Sequence, residues 1–401
     1  MANSNTPVLD AEALRLFANS IERYGQDKYS FNARKPLLHS PPGFSVQAWS
    51  DYADMGWLAA PLPLEDGGFG SHPVAVAALM RYAGEHLALE PLFASVVVCG
   101  RLLALCGTSG GAHQRLGALA AGTRLFALAH AENTAAALDS DVATHCHDGR
   151  LSGRKVVVLH GDVADELIVS ARESSEAAGP GPAGDGLSLF AVNVKQPGVH
   201  KTCYRLLDGR GAASFEFEHA GAELVAPSHA GAALLANTLD DARLALCAEA
   251  HGAMRALNRQ TLAYLKDRRQ FGRPIGSNQV LQHRMVDLFM LEQEVAAVVA
   301  AAQRAVGQNA WRQRAIMGAV AHAITAGRQI SHEAVQMHGG IGTTDELAVS
   351  HYFKRIMVVN RLLGDRDAHL DAFARADAAC GAMVKLRQET FPNEEPDHRQ
   401  S

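Results

Sequence analysis

The 401-residue sequence has no CxxC pair, and its six cysteines are scattered along the chain without histidine partners at zinc-finger spacing. This pattern predicts free, mainly buried thiols and no bound metal ion. It also disfavours a disulfide-stapled secreted domain, so we expect the protein in the reducing cytoplasm. The first residues, MANSNTPVLDAEALRLF, carry no basic start followed by an apolar run and therefore predict no secretory signal.

Long apolar runs and an excess of positive charge are absent as well. No stretch of about twenty apolar residues occurs, so we expect no membrane-spanning helix. The net charge is −5, from 37 Lys+Arg against 42 Asp+Glu, which predicts no overall attraction to nucleic acid. Hydrophobic residues make up 48% of a chain longer than one core usually holds, so two or three packed regions are expected.

Hydrophobic periodicity divides the chain into three regions, mainly α with a central β-domain. Residues 1–122 are predicted as an N-terminal helical domain, because segments such as DAEALRLFANSIERYG carry apolar residues at helical spacing. Residues 123–230 contain short β-rich runs separated by Gly, Asp and Asn, and predict a small barrel or sandwich. Residues 231–389 return to long helical patterns, and the polar tail 390–401 is expected to be disordered.

Two short motifs are suited to a ligand that carries phosphates. In RRQFGRPIGSNQV a basic cluster leads into a Gly/Pro turn, where Arg268 can clamp pyrophosphate oxygens. Phe271 offers a ring to an adenine or ribose, and Gln279 offers an amide to a polar edge. In QMHGGIGTTDE, Gly339 and Gly340 allow close approach of the backbone to a phosphate or ribose. The alternative is a solvated basic face with a glycine pair that ends a helix.

These motifs, their order and the three-region pattern resemble the acyl-CoA dehydrogenase family of flavoproteins over about residues 10–380. DMGWLAAPLPLEDGGFG, near the N-terminus, is a third and less specific match. The resemblance implies an N-terminal helical domain, a middle β-barrel and a C-terminal four-helix bundle. It also implies FAD, held by the residues Arg268, Phe271, Gln279, Gln336, Gly339 and Gly340.

In this family the two motifs contact the FAD of a neighbouring subunit, so the resemblance implies a homodimer or homotetramer. LCAEAHGAM and TTDELAVSHYFKRI look most like the branch that contains pimeloyl-CoA and steroid-degradation acyl-CoA dehydrogenases. Members of that branch often assemble from two different subunits, so a heterotetramer with a homologous subunit remains open.

The predicted β-domain departs from the family pattern beside the flavin. The first strand of the family usually ends in Thr or Ser before Glu-Pro, whereas Ala131 holds the hydroxyl position here. The second strand of the family usually offers Trp followed by Ile-Ser or Ile-Thr beside the flavin. In this sequence the segment KVVVLHG places Val157 and Leu159 at those positions. Backbone groups can still bond the edges of the flavin ring. A more apolar and roomier flavin pocket is therefore expected, with Ala131 at its edge.

The reaction that the resemblance implies needs a carboxylate to remove the substrate's α-proton. The family has this base at two alternative positions, which Leu363 and Ala242 occupy here. Glu249 lies nearly two turns beyond Ala242 on about the same helix face and is our candidate base. Asp241 and Asp365 are weaker candidates. A structural role for Glu249 is the alternative, through pairing with one of three nearby residues: Arg243, Arg255 or His251. Arg243 is also the candidate substrate contact.

The resemblance therefore implies an FAD enzyme that makes an α,β-unsaturated acyl-CoA and passes electrons to an electron-transfer flavoprotein. Two other hypotheses stay open. One is a non-catalytic or half-site subunit of a heteromeric dehydrogenase, and the other is a flavin oxidase or monooxygenase on the same fold. The small residues at 245–253 leave room for an acyl group longer or bulkier than butyryl.

Overall fold

The computed structural model describes residues 11–70, 73–107, 109–134, 141–173, 186–305 and 309–390. Within these ranges the order is helices, then a sheet, then helices, which confirms the predicted mainly α fold with a central β-domain. The predicted disordered tail lies outside the described residues, apart from Thr390 at the end of the last helix. Among the described helices none is long and apolar enough to cross a membrane.

Six α-helices and one π-helical segment form the N-terminal region. Ser30 and Ser45 begin the second and third helices, because each hydroxyl accepts a hydrogen bond from the backbone N–H three residues later. The π-helical segment Leu92–Cys99 is entirely buried and runs directly into the fifth helix. The helices are α1 (Ala11–Asp27), α2 (Phe31–Leu37), α3 (Val46–Asp54), α4 (Pro73–Glu85), α5 (Gly100–Cys106) and α6 (Ala112–Ala120).

The middle region is one eight-stranded sheet. Its strands are β1 (Phe126–Ala129), β2 (His145–His147), β3 (Arg150–Leu159), β4 (Glu166–Glu173), β5 (Leu187–Asn193), β6 (Val199–Arg205), β7 (Gly211–Gly221) and β8 (Glu223–Ala226). The pairing order is β6-β7-β3-β2-β4-β5-β8, and β1 pairs with β4 in parallel. Between the described strands the hydrogen-bonded path ends at β6 and β8 and does not close into a ring.

In the described residues five long helices follow, in the region predicted as the C-terminal helical bundle. They are α7 (Ser228–Asp267), α8 (Gln279–Arg304), α9 (Ala310–His338), α10 (Ala348–Leu363) and α11 (Arg366–Thr390). α7 has 40 residues and is roughly 60 Å long at 1.5 Å per residue. It packs against α4 on one side and against α9 and α10 on the other, so the two helical regions share one hydrophobic core.

Candidate functional site

The Arg268 motif forms an exposed hairpin at the end of α7. Two short strands, β9 (Arg269–Gln270) and β10 (Arg273–Pro274), pair antiparallel around a two-residue turn. Phe271 and Gly272 occupy that turn with φ of +52° and +80°, as a type I′ hairpin requires of its two central residues. This turn carries Phe271 at its tip, where the residue is fully exposed.

The QMHGGIGTTDE motif lies beside the Arg268 motif, as binding of one ligand by both motifs would require. The Tyr264 hydroxyl donates to the carbonyl oxygen of His338 at 3.3 Å, and the two rings stack with centroids 4.3 Å apart. Tyr264 is one turn before Arg268, and His338 immediately precedes Gly339. A Cβ added at Gly339 or at Gly340 would meet no atom within 4 Å, so this turn opens outward. The predicted ligand-holding residues Arg268, Gln279, Gln336, Gly339 and Gly340 are all exposed.

An apolar groove lies next to this exposed surface, between α7 and α8. Its cavity volume is about 650 Å³, with Leu262, Met285, Val286 and Phe289 among its walls. Leu262 is 41% exposed, and Val286 and Phe289 are each 56% exposed. A contiguous exposed apolar surface of this kind marks an interaction site in a folded protein.

Ala131 lines a separate, mostly apolar pocket at the junction of the three regions. The pocket is small, with a cavity volume of about 40 Å³, and has the π-helical segment as one wall. The remaining walls are His130 and Ala131 after β1, Val157 and Leu159 on β3, and Leu362 at the end of α10. We call it the ring pocket, because the resemblance places a flavin ring beside Ala131, Val157 and Leu159.

A β-bulge brings Val157 into the ring pocket. The pairing of β3 with β7 shifts by one residue between Lys155 and Val158. Val157 has a φ of +51°, which is costly for a β-branched residue, and its N–H donates to the Tyr204 hydroxyl at 2.9 Å. Val157 and Leu159 are two residues apart, and both line the pocket.

A buried polar cluster lies behind the ring pocket. Lys155 is fully buried, and its Nζ donates to Glu132 Oε1 at 2.8 Å, to the His130 carbonyl oxygen at 3.0 Å and to Ser170 Oγ at 3.3 Å. Burial lowers the pKa of Lys155 to about 8, although the Glu132 carboxylate acts to raise it. Burial raises the pKa of Glu132, but hydrogen bonds from Lys155 and Thr144 outweigh it and lower the value to about 2.

The Glu132 carboxylate should make stability depend on pH in the acid range. A carboxyl whose pKa is depressed in the folded state stabilises the fold above its unfolded value of 4.5 and loses that effect as pH falls toward 2. We expect the free energy of unfolding to fall between about pH 4.5 and 2, and to fall less steeply in Glu132→Gln. Urea unfolding at several pH values measures both slopes, and equal slopes would contradict this assignment.

Glu249, the candidate base, lies in a closed ring of buried ion pairs. Its Oε1 accepts from Arg210 Nη1 at 3.1 Å and from Arg355 Nη1 at 2.8 Å. Asp208 Oδ2 closes the ring, 2.7 Å from Arg210 Nε and 2.8 Å from Arg355 Nε. Burial raises the pKa of Asp208, but the two guanidinium groups outweigh it and lower the pKa below its usual value. All four side chains are at most 4% exposed.

This geometry favours the structural alternative for Glu249, with partners other than those predicted. Glu249 is absent from the walls of the ring pocket, and its arginines come from the β6–β7 connection and from α10. The expected partners lie elsewhere: Arg255 approaches Glu85, and His251 approaches Glu292. The catalytic role of Glu249 stays a prediction.

The roles of the other candidate residues stay predictions. Asp241 is held by Arg101 and Arg312, and Asp365 is exposed and accepts from the N–H of Asp367. Arg243, the candidate substrate contact, is buried and donates from Nη1 to Asp240 Oδ1 at 3.0 Å, so its role stays a prediction. In the part of the chain that the structure describes, no carboxylate lines the ring pocket.

The ring pocket and the exposed surface lie at opposite ends of α10. The Gly339–Thr343 turn precedes its start, and Leu362 at its end reaches the ring pocket. Fourteen residues separate Ala348 from Leu362, which corresponds to roughly 21 Å along the helix. One chain therefore presents two separate surfaces, one enclosed and apolar, the other open, basic and rich in backbone groups.

Both surfaces fit parts of FAD. The walls of the ring pocket, which are apolar apart from His130, suit contact with one face of a flat ring. The open surface suits a pyrophosphate and an adenosine, because Arg268 and the unobstructed turn at Gly339 can approach phosphate oxygens. Phe271 adds an exposed ring for stacking. The sequence analysis missed His130, and also missed Asp208, Arg210 and Arg355, whose importance depends on contacts between distant segments.

Comparison with known proteins gives a consistent result. Residues 229–377 match the family model described as acyl-CoA dehydrogenase, C-terminal domain. The acyl-CoA dehydrogenase IpdE2 of Mycolicibacterium smegmatis is 27% identical over 362 residues, which cover 88% of this chain and 95% of that protein.

Two solved structures extend the likeness to the whole fold. One is a steroid ACAD variant with a TM-score of 0.78 and 26% identity, covering 92% of this chain and 99% of the other. The other is the ChsE4-ChsE5 complex from Mycobacterium tuberculosis, with a TM-score of 0.77 and 23% identity, covering 92% and 97%. Residues 229–377 thus match the C-terminal domain of acyl-CoA dehydrogenases, and most of the chain is similar in sequence and fold to members of that family, which are FAD-dependent oxidoreductases acting on CH–CH bonds.

Proposed function

We propose that this protein introduces an α,β double bond into an acyl-CoA thioester and passes the electrons to an electron-transfer flavoprotein. The observation that supports this function best is the pair of surfaces on one chain. The ring pocket has walls that are apolar apart from His130, and the surface around Arg268 faces outward. A cytoplasmic location is part of the proposal, and the scattered cysteines without a CxxC pair fit it.

The separation of the two surfaces supports assembly of each flavin site from two subunits. Phe271 is fully exposed at its hairpin tip, and the groove beside it carries large exposed apolar side chains. A neighbouring subunit would cover both, so that its flavin receives this chain's Arg268 and Gly339 turn. We propose a dimer or tetramer, built either from copies of this chain or with a homologous subunit.

Each part of the chain has a distinct task in this proposal. When bound, the flavin supplies the acceptor for the hydride that leaves the β-carbon. The apolar walls at Ala131, Val157, Leu159 and Leu362 hold the ring and keep water from the reacting carbons. Arg268 neutralises the pyrophosphate, and the Gly339 turn supplies backbone N–H groups to it.

The purified protein should be yellow, and Arg268→Ala should weaken its hold on FAD. Loss of a hydrogen bond to a charged group costs about 1.5–3 kcal/mol, or roughly a tenfold to hundredfold loss of affinity. Fluorescence titration of the apoprotein with FAD measures the change. Arg150→Ala is the matched control, because Arg150 is an exposed arginine on β3, outside the predicted surface. Equal affinities of Arg268→Ala and wild type would contradict the predicted clamp.

The reaction itself is tested by screening acyl-CoA esters for anaerobic bleaching of the oxidised flavin. Bleaching by an acyl-CoA longer or bulkier than butyryl, followed by reoxidation with an electron-transfer flavoprotein, supports the dehydrogenase. Peroxide release at the same rate as bleaching in air supports the oxidase alternative instead. A wild-type protein that binds no FAD, alone or with a homologous subunit, would exclude both.

A half-site subunit is a second candidate, which a specific observation favours. The walls of the ring pocket carry no carboxylate among the described residues, and Glu249 is held by Arg210 and Arg355. In that case a homologous subunit contributes the base, and this chain contributes its exposed surface to the partner's FAD. Co-expression with the homologue and measurement of FAD content separate the two candidates. One FAD per pair of different chains supports the half-site role, and one per chain supports the full enzyme.

A further inference from the structure

His351 is a buried histidine at a junction of three parts of the fold. It lies in the first turn of α10 and is only 6% exposed. Its ring meets the Phe31 ring of α2 edge-on, with centroids 4.9 Å apart. It also lines an open pocket of about 360 Å³ between α2, the β6–β7 connection and the start of α10. A proton can therefore reach this ring although most of it is buried.

The contacts of His351 fix which ring nitrogen carries the hydrogen. Arg34 Nη1 lies 3.1 Å from His351 Nδ1. A guanidinium group only donates hydrogen bonds, so Nδ1 must be the acceptor and carry no hydrogen. The hydrogen is then on Nε2, which lies 3.3 Å from the carbonyl oxygen of Asp345 and donates to it. The fold thus holds a neutral ring in which both nitrogens have partners.

Arg34 is held in place and cannot turn away from a protonated ring. It is 1% exposed, and it also donates to two carbonyl oxygens, from Nε to Leu87 at 2.8 Å and from Nη2 to Asp208 at 2.9 Å. Burial lowers the pKa of Arg34 to about 10, so the group stays charged at neutral and acidic pH. Protonation of His351 would place a second N–H against this guanidinium group, with two like charges in direct contact.

The other charged groups around His351 do not offset this repulsion. Asp345, the nearest acid, lies 3.8 Å from Nε2, but it is 72% exposed and pairs with Lys354. Burial lowers the pKa of His351 below its ordinary value of 6.5, and Arg34 and Lys354 lower it further. The carbonyl and carboxylate of Asp345 act in the opposite direction without restoring that value. The remaining charged or titratable groups on these elements are Lys35 of α2, His39 after α2, Arg205 at the end of β6, Asp208 of the β6–β7 connection and Arg355 of α10.

The segment 344–347, to which His351 bonds, joins the Gly339–Thr343 turn to α10. Thr344 is tied to that turn, because its N–H and its hydroxyl both donate to the carbonyl oxygen of Ile341, at 3.2 and 2.9 Å. Movement of the segment is therefore passed directly to the turn.

We propose that His351 makes the attachment of the segment 344–347 to α2 sensitive to pH. While its ring is neutral, it connects Asp345 to Arg34 and holds the segment in place. Protonation breaks the contact with Arg34, so the segment and the turn before it open more readily. Because the pKa of the held ring is below the 6.5 of a released ring, the attachment is strongest above pH 6.5 and weakens as the pH falls. No step requires a bound cofactor, so this behaviour is independent of the proposed function.

The test is amide hydrogen exchange of residues 344–350 in the purified full-length protein, followed by mass spectrometry at pH 7.5 and pH 5. Each rate is corrected for the intrinsic pH dependence of exchange, which gives a local opening constant. In the wild type this constant should rise by up to about 30-fold between the two pH values, because the released ring titrates near 6.5 and the held ring lower. An unchanged opening constant overturns the proposal.

Three variants separate titration of His351 from a merely structural role. His351→Asn brings an amide oxygen near the position of Nδ1, so it still accepts from Arg34 but does not titrate. Its opening constant should be nearly equal at the two pH values. Lys35→Ala removes a 3.0 Å bond to the Glu346 carbonyl oxygen, so it should raise the opening constant at both pH values and keep the pH dependence. His200→Asn is the control, since His200 is exposed on β6, and it should match the wild type.

A pH dependence that persists in His351→Asn would show that another group titrates, and it overturns the proposal. If that variant does not fold, exchange of the histidine C2 hydrogens in the wild type, measured by mass spectrometry, gives the pKa of His351 directly. A value below 6.5 supports the proposal, and a value of 6.5 or higher overturns it. None of these measurements involves flavin reduction, so a failure of the proposed dehydrogenase activity leaves their result unaffected.

Discussion

Replacing Glu249 with alanine is expected to lower the free energy of unfolding by about 3–5 kcal/mol, the usual cost of breaking a buried ion pair. The side chain is fully buried, and its Oε1 accepts from both Arg210 and Arg355. Without it, two buried guanidinium groups would share the single carboxylate of Asp208. One positive charge would then lack a partner in an interior that water does not reach.

The loss should be large because the ion-pair ring joins all three regions of the fold. Asp208 and Arg210 belong to the connection between β6 and β7, Glu249 to α7 and Arg355 to α10. Arg355 also donates from Nη2 to the Ala88 carbonyl oxygen of the N-terminal region, at 2.8 Å. A substitution at Glu249 therefore weakens the contacts of the sheet with both sets of helices.

Urea unfolding followed by circular dichroism measures the change in stability. Glu294→Ala is the matched control, because Glu294 lies on α8 with its side chain 58% exposed, and surface substitutions stay within about 0.5 kcal/mol. A double-mutant cycle between Glu249 and Arg355 should show a coupling of roughly 0.5–3 kcal/mol. A loss in Glu249→Ala no larger than in Glu294→Ala would show that the ion pairs contribute little.

Glu249→Gln separates the structural role from the catalytic one predicted from sequence. If Glu249 is the base, Glu249→Gln should slow flavin reduction by about 10²-fold or more while FAD and acyl-CoA still bind. If Glu249 is instead a structural member of the ion-pair ring, Glu249→Gln should lower the free energy of unfolding. The reduction rate of the folded, FAD-loaded protein should then stay nearly unchanged. Anaerobic stopped-flow bleaching with an active ester distinguishes the two. We expect the second pattern, because Glu249 is separated from the ring pocket.

The outcome for Glu249 shows which features of this chain the sequence makes predictable. A glutamate inside an Ala/Leu-rich helix implies either pairing or function, and both alternatives were recognised. Its partners Arg210 and Arg355 are 39 and 106 residues away. No local pattern encodes a contact over such distances, so nearby Arg243, Arg255 and His251 were proposed in their place.

Features that depend on neighbouring residues were predictable. Apolar periodicity predicted helices at 236–267, 278–306 and 310–338, and the structure has α7, α8 and α9 there, although α7 begins earlier at Ser228. The Phe271-Gly272 turn follows from local turn chemistry. The bulge at Val157 and the orientation of His130 do not, because each depends on strand pairing with β7 or β4. The β-domain was thus predictable as a region, and the resemblance pointed to Ala131, Val157 and Leu159, whereas the local backbone geometry that places them was not predictable.

The apolar groove beside the hairpin leads to the second large expected effect. Phe289→Asp should dissociate the assembly, because Phe289 is 56% exposed in the single chain and would be covered by a neighbouring subunit. Loss of a central aromatic contact costs about 2–4 kcal/mol at an interface. In a two-fold symmetric dimer each substitution acts twice, so the dissociation constant should rise by at least about 10³-fold. In a heteromer that has only one such contact, the dissociation constant should rise closer to 30-fold.

Sedimentation equilibrium over a range of protein concentrations measures this change and distinguishes the two kinds of assembly. Leu16→Asp is the control, since Leu16 is an exposed apolar residue on α1, far along the chain from the groove. FAD content should fall together with assembly, because Arg268 and the Gly339 turn then lose the neighbour whose cofactor they hold. A monomeric Phe289→Asp protein that keeps full FAD occupancy would show that each chain binds its flavin alone. An undisturbed oligomer would place the interface on another face of the molecule.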